Sequence, residues 1–381
     1  MIILFEYLDL LLFAISAFTV IYLLIYAIAA MSTRTDKYSE SRMKHRFAII
    51  FPAYKDDEYI IDSVKSFLQQ DYPIDCYDVI VVADHLRPET NLKLSQLPIT
   101  LLQAEFKKSS KMKSVKVAMN QLREGAYDIV LIMNADNIAE DNLLNELNNT
   151  YASGSNAIQT HRIRKERPDN ITVLNAIADE TNNSIFRAGH AIFGLSSSLN
   201  GSGMAFDFSW LKANILHIKD DDDEKVIESL LLKEQIYIEY LDNTHVYATR
   251  KEGKKKFYAQ RRNWIIAQYS SLINNISNLP SAIFSGNFDY ADRILQWITL
   301  PRTLLLSISL LFGCITTYLN WETSIKWWIL LFLFLLTMAF ATPNYLVDEK
   351  FNKAMKALPF IGIGVIFNLF FGFNRKNKKQ K

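Results

Sequence analysis

Two aspartates stand at the ends of apolar runs, at positions where an α/β protein can bind a ligand. Asp84 closes the run Tyr77–Asp84 (YDVIVVAD), and Asp136 closes the run Ile129–Asp136 (IVLIMNAD). Ligands of open α/β sheets bind beyond the carboxyl ends of the strands. We therefore expect a nucleotide and its metal ion at Asp84 and Asp136, although a solvated strand-end aspartate is a common alternative.

A diphosphate would need cations, because the chain has neither of the usual glycine-rich phosphate loops, GxGxxG or GxxxxGK[ST]. Lys111 and Lys113 start a predicted helix, where lysines oppose the helix dipole and so favour a ligand-based role. A merely basic surface is the alternative. Hard divalent cations prefer carboxylate oxygens, so the predicted cofactor is Mg²⁺ or Mn²⁺.

Alternating strands and helices are predicted to position these residues. The predicted strands are Arg46–Tyr54, Tyr77–Asp84, Ile99–Ala104 and Ile129–Asp136, and the predicted helices include Asp57–Gln70 and Lys111–Leu122. Continuous Val, Ile and Leu runs between helices indicate an α/β fold with a Rossmann-like, mostly parallel sheet covered on both faces. This domain is predicted to cover residues 45–250.

The two ends of the chain are apolar and predict membrane helices. Leu8–Met31 is long enough to cross a bilayer, and Leu300–Leu319 and Trp327–Val347 read as a hairpin around an outer loop, NWETSIK. A weaker stretch, Ala357–Phe373, is predicted either to span the membrane or to lie on its surface. The predicted regions are an anchor at 1–33, amphipathic interfacial helices at 251–299, a transmembrane region at 300–373 and a basic tail at 374–381.

Charge around the first apolar segment predicts its orientation. Basic residues follow the segment, whereas Glu6 and Asp9 lie near its start, so a cleaved signal peptide fits poorly. By the positive-inside rule the domain at 45–250 is cytoplasmic. The sequence therefore predicts a multi-pass integral protein of the cell or inner membrane.

Composition excludes some classes of partner. The net charge is only +2, so the chain lacks the strong basic field of a nucleic-acid-binding protein. Cys76 and Cys314 are far apart and fit no metal or redox spacing. The sequence leaves the oligomeric state open.

Seven short motifs in one order resemble family 2 glycosyltransferases, in particular the membrane-bound hyaluronan-, chitin- and cellulose-synthase-like enzymes. The resemblance runs from about Ala48 to Trp264. The motifs are Phe51–Tyr54, Val81–Asp84, Lys111–Ser114, Asn134–Asn137, Asn200–Met204, Asp220–Glu224 and Gln260–Trp264. The family resemblance implies a GT-A catalytic domain flanked by transmembrane helices.

The resemblance implies a nucleotide-sugar site along the strand ends. Pro52 and Tyr54 lie where the family cups the uracil base, and Asp84 lies where it binds the base or ribose. Lys111 and Lys113 would offset phosphate charge. An ordinary loop with Asp56 as a helix N-cap is the alternative for the first motif.

The resemblance places a metal at Asn134 and Asp136, where the family has Asp-x-Asp. Asn134 keeps an oxygen ligand but loses one negative charge, so Asp136 is the expected surviving metal ligand.

For the acceptor side, the family implies a pocket at Gly201, Ser202 and Gly203, with a plain turn as the alternative. Its general base corresponds to Glu224 or Asp223, with Asp222 also possible because four aspartates precede Glu224. A solvated acidic loop is the other interpretation.

The last motif, Gln260-Arg261-Arg262-Asn263-Trp264, resembles the family's Gln-x-x-Arg-Trp with Asn263 in place of the arginine. Gln260 and the two arginines would bind the donor diphosphate, and Trp264 would contact both donor and acceptor sugars. An amphipathic interfacial helix explains the same residues.

The resemblance thus implies an inverting, metal-dependent transfer from a nucleotide-sugar, expected to be a UDP-sugar, to a lipid-linked or polysaccharide acceptor. Asn134 and Asn263 leave a second interpretation, a catalytically impaired nucleotide-binding relative that acts as a scaffold. A transporter is disfavoured, because the sequence shows few crossings and no buried charges in them.

Overall fold

A computed structural model of the protein describes residues 2–32, 38–220, 223–250 and 254–358. The described chain forms two compact units. The first comprises the described residues within Met1–Thr33, Arg167–Phe193 and Lys251–Lys381; the second comprises those within Arg34–Glu166 and Gly194–Arg250. The domain predicted at 45–250 thus includes a segment, 167–193, that belongs to the first unit.

The first unit is helical. Its α-helices are α1 (Ile2–Ala29), α6 (Asn170–Asn183), α7 (Gly189–Ile192), α10 (Lys254–Asn275), α11 (Leu279–Phe284), α12 (Phe288–Ile298), α13 (Arg302–Leu319) and α14 (Trp321–Ala341). A π-helical turn, Ser184–Ala188, joins α6 to α7, and short 3₁₀ turns lie at Ile276–Asn278 and Asn344–Leu346.

Three helices in the described part of the chain are long and apolar enough to span a membrane: Phe5–Ala29, Arg302–Leu319 and Trp321–Ala341. The predicted outer loop NWETSIK was wrong, because α14 begins at Trp321 and Asn320 alone separates it from α13. The Asn320 side chain accepts a hydrogen bond from the backbone N–H of Glu322 and so caps α14. The predicted stretch 357–373 lies almost wholly outside the described residues, and the basic tail 374–381 lies wholly outside them.

The apolar helices of the first unit pack around Trp327, whose ring meets those of Phe13 and Phe312. The Trp327 indole N–H donates to the Asp9 carboxylate at 2.7 Å, and Lys326 pairs with the same carboxylate. The expectation of no buried charges in the spans was therefore wrong: α1 carries a buried acid that α14 neutralises.

The second unit is built on one eight-stranded sheet. Its strands are β1 (Phe47–Tyr54), β2 (Tyr77–Asp84), β3 (Thr100–Ala104), β4 (Ile129–Ile132), β5 (Asn137–Ala139), β6 (Ala157–Arg164), β7 (Met204–Asp207) and β8 (Ile238–Ala248). They are ordered β3-β2-β1-β4-β7-β6-β8-β5. Strands β1 to β4 are parallel, as are β6 and β8, whereas β7 runs antiparallel to β4 and β6, and β5 antiparallel to β8.

The helices of the second unit are α2 (Ile60–Leu68), α3 (Pro88–Ser95), α4 (Lys111–Gln121), α5 (Leu143–Ala152), α8 (Phe208–Asn214) and α9 (Glu224–Lys233). Apolar side chains of β1, β2 and β4 form the core beneath them, including Phe47, Ile49, Val79, Val81 and Leu131. These strands are buried along nearly their whole length, which explains their continuous apolar runs.

Candidate functional site

The candidate site lies at the edge of the sheet where β1, β2 and β4 end. Tyr54, the last residue of β1, is paired with Asp84, the last residue of β2. Strand β4 stops earlier, at Ile132, which pairs with Met204 at the start of antiparallel β7. The turn after β4 and the loop before β7 therefore reach the same edge of the sheet.

Pro52 is accommodated in β1 because β4 pairs with β1 only as far as Ile50. Beyond that point β1 has a partner on one side only, so a residue without an N–H is tolerated there. Pro52 is half-buried opposite Val82, and Tyr54 is 48% exposed. The aromatic ring at the strand end is thus available to a ligand.

Asp84 is almost fully buried at the end of β2. Its Oδ1 contacts His85 Nδ1 at 2.5 Å and accepts the backbone N–H of Phe106 at 3.3 Å. Among the described residues, its other oxygen, Oδ2, is buried without a hydrogen-bond partner. An unpaired buried carboxylate oxygen is costly, so this position suits a hydrogen-bond donor from water or from a ligand.

His85 follows Asp84 with φ +56°, in the left-handed region that few non-glycine residues adopt. Its imidazole lies edge-on to Tyr54, with ring centroids 5.9 Å apart. His85 was not among the site residues predicted from sequence, and its position after the strand-end aspartate was the one available signal.

Asp136 lies in the turn between β4 and β5, and its carboxylate is already engaged. Its Oδ2 accepts from Arg250 Nε at 2.8 Å. With the Asn137 amide turned to satisfy both of its groups, the Asn137 nitrogen donates to Asp136 Oδ1 at 2.8 Å. The Asp136 backbone carbonyl also accepts two hydrogen bonds from Thr249, which fixes the start of β5 against the end of β8.

Arg250 joins Asp136 to Asp56, because another of its guanidinium nitrogens donates to the Asp56 carboxylate. Asp56 is not the helix N-cap that the sequence suggested: α2 begins at Ile60, after Tyr59. Desolvation acts to lower the pKa of Arg250, but the two carboxylates outweigh it and the pKa is raised. Burial raises the pKa of Asp56, although Arg250 partly offsets this.

Lys111 opens α4 and points into the same site. Its Nζ donates to Asn134 Oδ1 at 3.1 Å. Burial lowers the pKa of Lys111 to about 8, against opposing contributions from Glu224 and Asp136. Ser110 caps the helix by accepting from the backbone N–H of Lys113.

Lys113 lies two residues further along α4 and has other contacts. Its Nζ donates to the Lys108 carbonyl at 2.8 Å and lies over the Phe106 ring. Asp220 is 4.0 Å away. Of the two predicted lysines, the structure therefore brings Lys111 next to Asn134 and uses Lys113 to hold the preceding loop.

The Gly201–Gly203 loop packs directly against these groups. Gly201 has φ +84°, and a Cβ there would lie 3.3 Å from Glu224 Oε1 and 3.5 Å from Lys111 Nζ. Ser202 Oγ accepts from the Asn134 backbone N–H at 3.0 Å. The predicted acceptor loop is thus held against the turn that carries Asn134.

Glu224 and Asp223 play different parts at the start of α9. Asp223 is the N-cap, and its Oδ1 accepts the backbone N–H of Lys225 at 3.1 Å. Glu224 is the residue that lies beside Gly201 and Lys111. Asp222, the third candidate base, lies outside the described residues.

The Gln260–Trp264 motif lies on α10, in the first unit. Arg261 donates to Asn175 Oδ1 on α6 at 3.0 Å, and its guanidinium lies over the Phe257 ring. Trp264 is 38% exposed. The predicted donor-binding roles of Gln260, Arg261 and Arg262, and the dual role of Trp264, stay predictions.

The oxygen ligands predicted for a divalent ion do not fit one in this arrangement. Asn134 Oδ1 accepts from an ammonium group, and the Asp136 carboxylate is shared between Arg250 and Asn137. Within the described ranges, no group of three or more His, Cys, Asp or Glu side chains could hold a metal ion. A hard cation needs several free oxygen ligands.

Comparisons with known proteins concern the family and the fold of the chain. The family model described as "Glycosyltransferase like family 2" matches residues 45–246, more than half of the chain. No curated protein matches the sequence.

Two solved structures illustrate the similarity. The mannosyltransferase PcManGT from Pyrobaculum calidifontis, in complex with GDP-Man and Mn²⁺, is 17% identical with a TM-score of 0.53, covering 86% of this chain and 97% of that chain. The S. aureus TarS 1-349 structure is 16% identical with a TM-score of 0.41, covering 82% and 91%. At these identities the likeness concerns the fold alone, and it is the PcManGT match that carries it.

Proposed function

Since the chain belongs to glycosyltransferase-like family 2, we propose that it transfers a sugar from a nucleoside-diphosphate sugar to a hydroxyl group of a membrane-associated acceptor, with inversion at the anomeric carbon. The assignments to this family and to a GT-A α/β fold, both made from sequence, are confirmed. The donor, the acceptor and the stereochemistry are parts of the proposal.

One observation carries the proposal: a carboxylate and a cation meet at a glycine loop at the binding edge of the sheet. Glu224 Oε1 and Lys111 Nζ both lie within 3.5 Å of the position that a Gly201 Cβ would take. Displacement at an anomeric carbon requires a base for the attacking hydroxyl and positive charge for the leaving diphosphate. Helices α4 and α9 supply the two groups, and Gly201 leaves the space between them free of a side chain.

The strand ends of β1 and β2 would hold the nucleoside. Asp84 Oδ2, buried and unpaired among the described residues, would accept a hydrogen bond from the base or ribose. Tyr54 and His85 offer aromatic surface beside it. This part of the site would determine which nucleotide is bound, with a UDP-sugar as the expected donor.

The transfer step balances with these groups alone. The acceptor hydroxyl gives its proton to Glu224 while its oxygen forms a bond to the anomeric carbon. The bond from that carbon to the diphosphate oxygen breaks, and its electron pair leaves with the diphosphate. Lys111 would stabilise the charge that develops there.

The predicted divalent ion has one support, the Mn²⁺ in the PcManGT complex. The contacts of Asn134 and Asp136 do not fit such an ion, so no step is assigned to one.

The proposed location is a membrane, with residues 45–250 on its cytoplasmic side. Three helices of the described chain are long and apolar enough to span, and basic residues such as Arg34 and Arg42 follow the first. A lipid-linked or polysaccharide acceptor suits an enzyme held at a bilayer. The interfacial role of 251–299 is part of the same proposal, and Phe284, which is 90% exposed on α11, suits it.

A second function, nucleotide binding without turnover, is favoured by one observation. Asn134 replaces a charged residue of the family pattern and its oxygen is occupied by Lys111. Such a relative would bind the nucleotide and act as a scaffold or partner subunit.

A donor screen on purified full-length protein separates the two functions. Radiolabelled UDP-glucose, UDP-N-acetylglucosamine and GDP-mannose would be supplied with membrane lipid extract, and products sized by gel and mass spectrometry. We expect one donor to be turned over and Asp84→Asn to raise its KM by at least about tenfold. Arg123→Gln, an exposed surface change, is the matched control.

The outcomes are distinct. Turnover that Asp84→Asn leaves unchanged would overturn the proposed nucleoside site. Nucleotide binding with no transfer from any donor would favour the scaffold, and neither binding nor transfer would overturn both functions.

A further inference from the structure

Arg250 occupies the space between two carboxylates at the binding edge of the sheet. It follows β8, and its Nε donates to Asp136 Oδ2 at 2.8 Å while a second nitrogen donates to Asp56. Its side chain is only 18% exposed. A divalent ion bridging these two acids would need the position that the guanidinium holds.

Lys111 contacts Asn134, the other residue after β4 that was predicted to bind the metal ion. Its ammonium group donates to Asn134 Oδ1, so an amide rather than a carboxylate receives it. An acid at position 134 would form a close ion pair with Lys111, whereas the neutral amide leaves the lysine's charge uncompensated at that contact. Asn134 therefore keeps a positive charge in the site that an aspartate would cancel.

The charges of the site balance without a metal ion. Three carboxylates, those of Asp56, Asp136 and Glu224, are close to two cations, Arg250 and Lys111. A third cation, Arg162, lies close enough to contribute to the electrostatics of Lys111. A divalent ion is attracted by excess negative charge, which this group of side chains does not present.

The two cations keep donors for a phosphate. The contacts with Asp56 and Asp136 use two of the five N–H groups of a guanidinium. Guanidinium groups bind phosphate through paired hydrogen bonds, and an ammonium group has three donors that can be redirected. Arg250 is also fixed in place, because the preceding residue, Thr249, is bonded to the Asp136 backbone.

We propose that Arg250 and Lys111 take the place of the divalent ion and donate hydrogen bonds to the donor diphosphate, so that this chain binds a nucleoside diphosphate without metal. The inference rests on the proposed function, because it concerns the donor of that reaction. Neither Arg250 nor Asp56 was predicted from sequence to lie in the site. In this proposal Arg250 binds the donor diphosphate, and Asp56 positions Arg250.

The test is nucleotide binding by isothermal titration calorimetry on the full chain in detergent, with UDP and GDP as probes. Each titration is run in EDTA and again with Mn²⁺. We expect the better of the two nucleotides to bind in EDTA with a Kd within about threefold of that in Mn²⁺. Arg250→Gln and Lys111→Met should each weaken binding in EDTA by at least about tenfold, and Arg123→Gln should not.

Arg250→Gln also allows a second measurement, the effect of Mn²⁺ on nucleotide affinity. It leaves the Asp56 and Asp136 carboxylates side by side without their cation, and such a pair is a ligand set for Mn²⁺. The variant should therefore recover affinity when Mn²⁺ is added, whereas the wild type should not change. Arg250→Lys, which keeps the charge, should retain metal-free binding and covers the case in which Arg250→Gln does not fold.

Two failures are distinguishable. Binding by the wild type only in Mn²⁺ would overturn this inference and leave the proposed function intact. Binding of neither nucleotide in either buffer would overturn the proposed function itself.

Discussion

Glu224 and Asp223 are neighbours in the chain but make different contacts, which separates their roles. Asp223 caps α9, whereas Glu224 faces Gly201 and Lys111. Burial raises the pKa of Asp223, with Lys225 acting in the opposite direction. Because Asp223 is used as the helix cap, these contacts support the proposal that Glu224 is the proton acceptor.

We expect Glu224→Gln to lower kcat by about 10²–10⁴-fold while UDP binding is kept, because the amide cannot take the acceptor proton. Asp223→Asn should leave kcat nearly unchanged, since asparagine caps a helix about as well as aspartate. Single-turnover kinetics on both variants would test this. The reverse ranking would assign the base to Asp223.

The charge of Lys111 predicts a pH dependence for donor binding. Its pKa is lowered from 10.5 to about 8, chiefly by burial, so its ammonium form is lost as the pH rises through that value. Since the ammonium form binds phosphate, UDP affinity should fall above about pH 8.

Lys111→Arg is the matched variant, because arginine stays protonated beyond about pH 12. Its UDP affinity should stay level from pH 7 to about pH 10, where that of the wild type declines. Equal pH profiles for the two proteins, measured by calorimetry, would show that Lys111 does not carry the phosphate charge.

Strand ends and the family resemblance together indicated part of this site. Asp84, Asp136, Lys111 and Glu224 were selected from sequence because strand ends and a resembling family pattern indicate them. Arg250 could not be selected in this way, because it is distant in sequence from both of its carboxylate partners. Its role depends on β5 and β8 pairing in register, Asn137 with Ala248.

At the scale of elements, the loop before β7 is fixed by a close contact. Gly203 has φ +63°, and a Cβ there would lie 1.9 Å from Thr160 Oγ1 on β6. Two independent costs, backbone strain and overlap, therefore oppose any other residue at this position. The glycine keeps Ser202 against Asn134.

Gly203→Ala should lower the melting temperature more than Gly125→Ala does. Gly125 has φ +72° but nothing within 4 Å of its Cβ position, so it reports the cost of left-handed backbone alone, about 1–2 kcal/mol. Adding Thr160→Ala to Gly203→Ala should restore part of the loss. Equal melting temperatures for the two single variants, measured in detergent, would contradict the contact.

The ion pair between α1 and α14 gives a second expectation at this scale. Lys326→Leu leaves the buried Asp9 carboxylate without its cation, and Asp9→Leu leaves the partly exposed Lys326 without its carboxylate, so each should lower the melting temperature, the first change more than the second. The double variant should be more stable than either single variant, because neither charge then remains. Additive losses in a double-mutant cycle would indicate that the pair contributes no coupling.

Elements were predictable to different degrees. The bounds of β2 were predicted correctly, since Tyr77–Asp84 is a continuous buried run. Strand β4 ends four residues before the predicted Asp136, because β1 stops pairing with it at Ile50 and the chain turns. The α13–α14 turn was missed because the sequence NWETSIK is polar, yet Asn320 alone suffices as the N-cap.

At the scale of the whole molecule, the chain passes between its two compact units repeatedly. The passages follow Thr33, Glu166, Phe193 and Arg250. Hydropathy shows only the first of these as the edge of an apolar run, because the polar helix α10 follows the last one. It does not show the middle two, because 167–193 contains no apolar run long enough to stand out.

These passages predict how the molecule responds to truncation. A soluble chain of residues 34–250 would keep 167–193 but lose the helices with which that segment packs, including α1 and α14. Gly189, for example, lies so close to the Tyr26 backbone that a Cβ there would be 2.3 Å from its carbonyl oxygen. We expect this truncated chain to aggregate on gel filtration, whereas the full chain in detergent elutes as one peak.

An internal deletion follows from the same passages. Segment 167–193 belongs to the first unit, whereas the residues on either side of it, Glu166 and Gly194, belong to the second. A chain of residues 34–250 with a glycine-serine bridge in place of 167–193 would contain the second unit alone, without the segment that packs with the apolar helices. Crystallographers would then have a water-soluble target whose ligand affinity reports on the sheet edge alone.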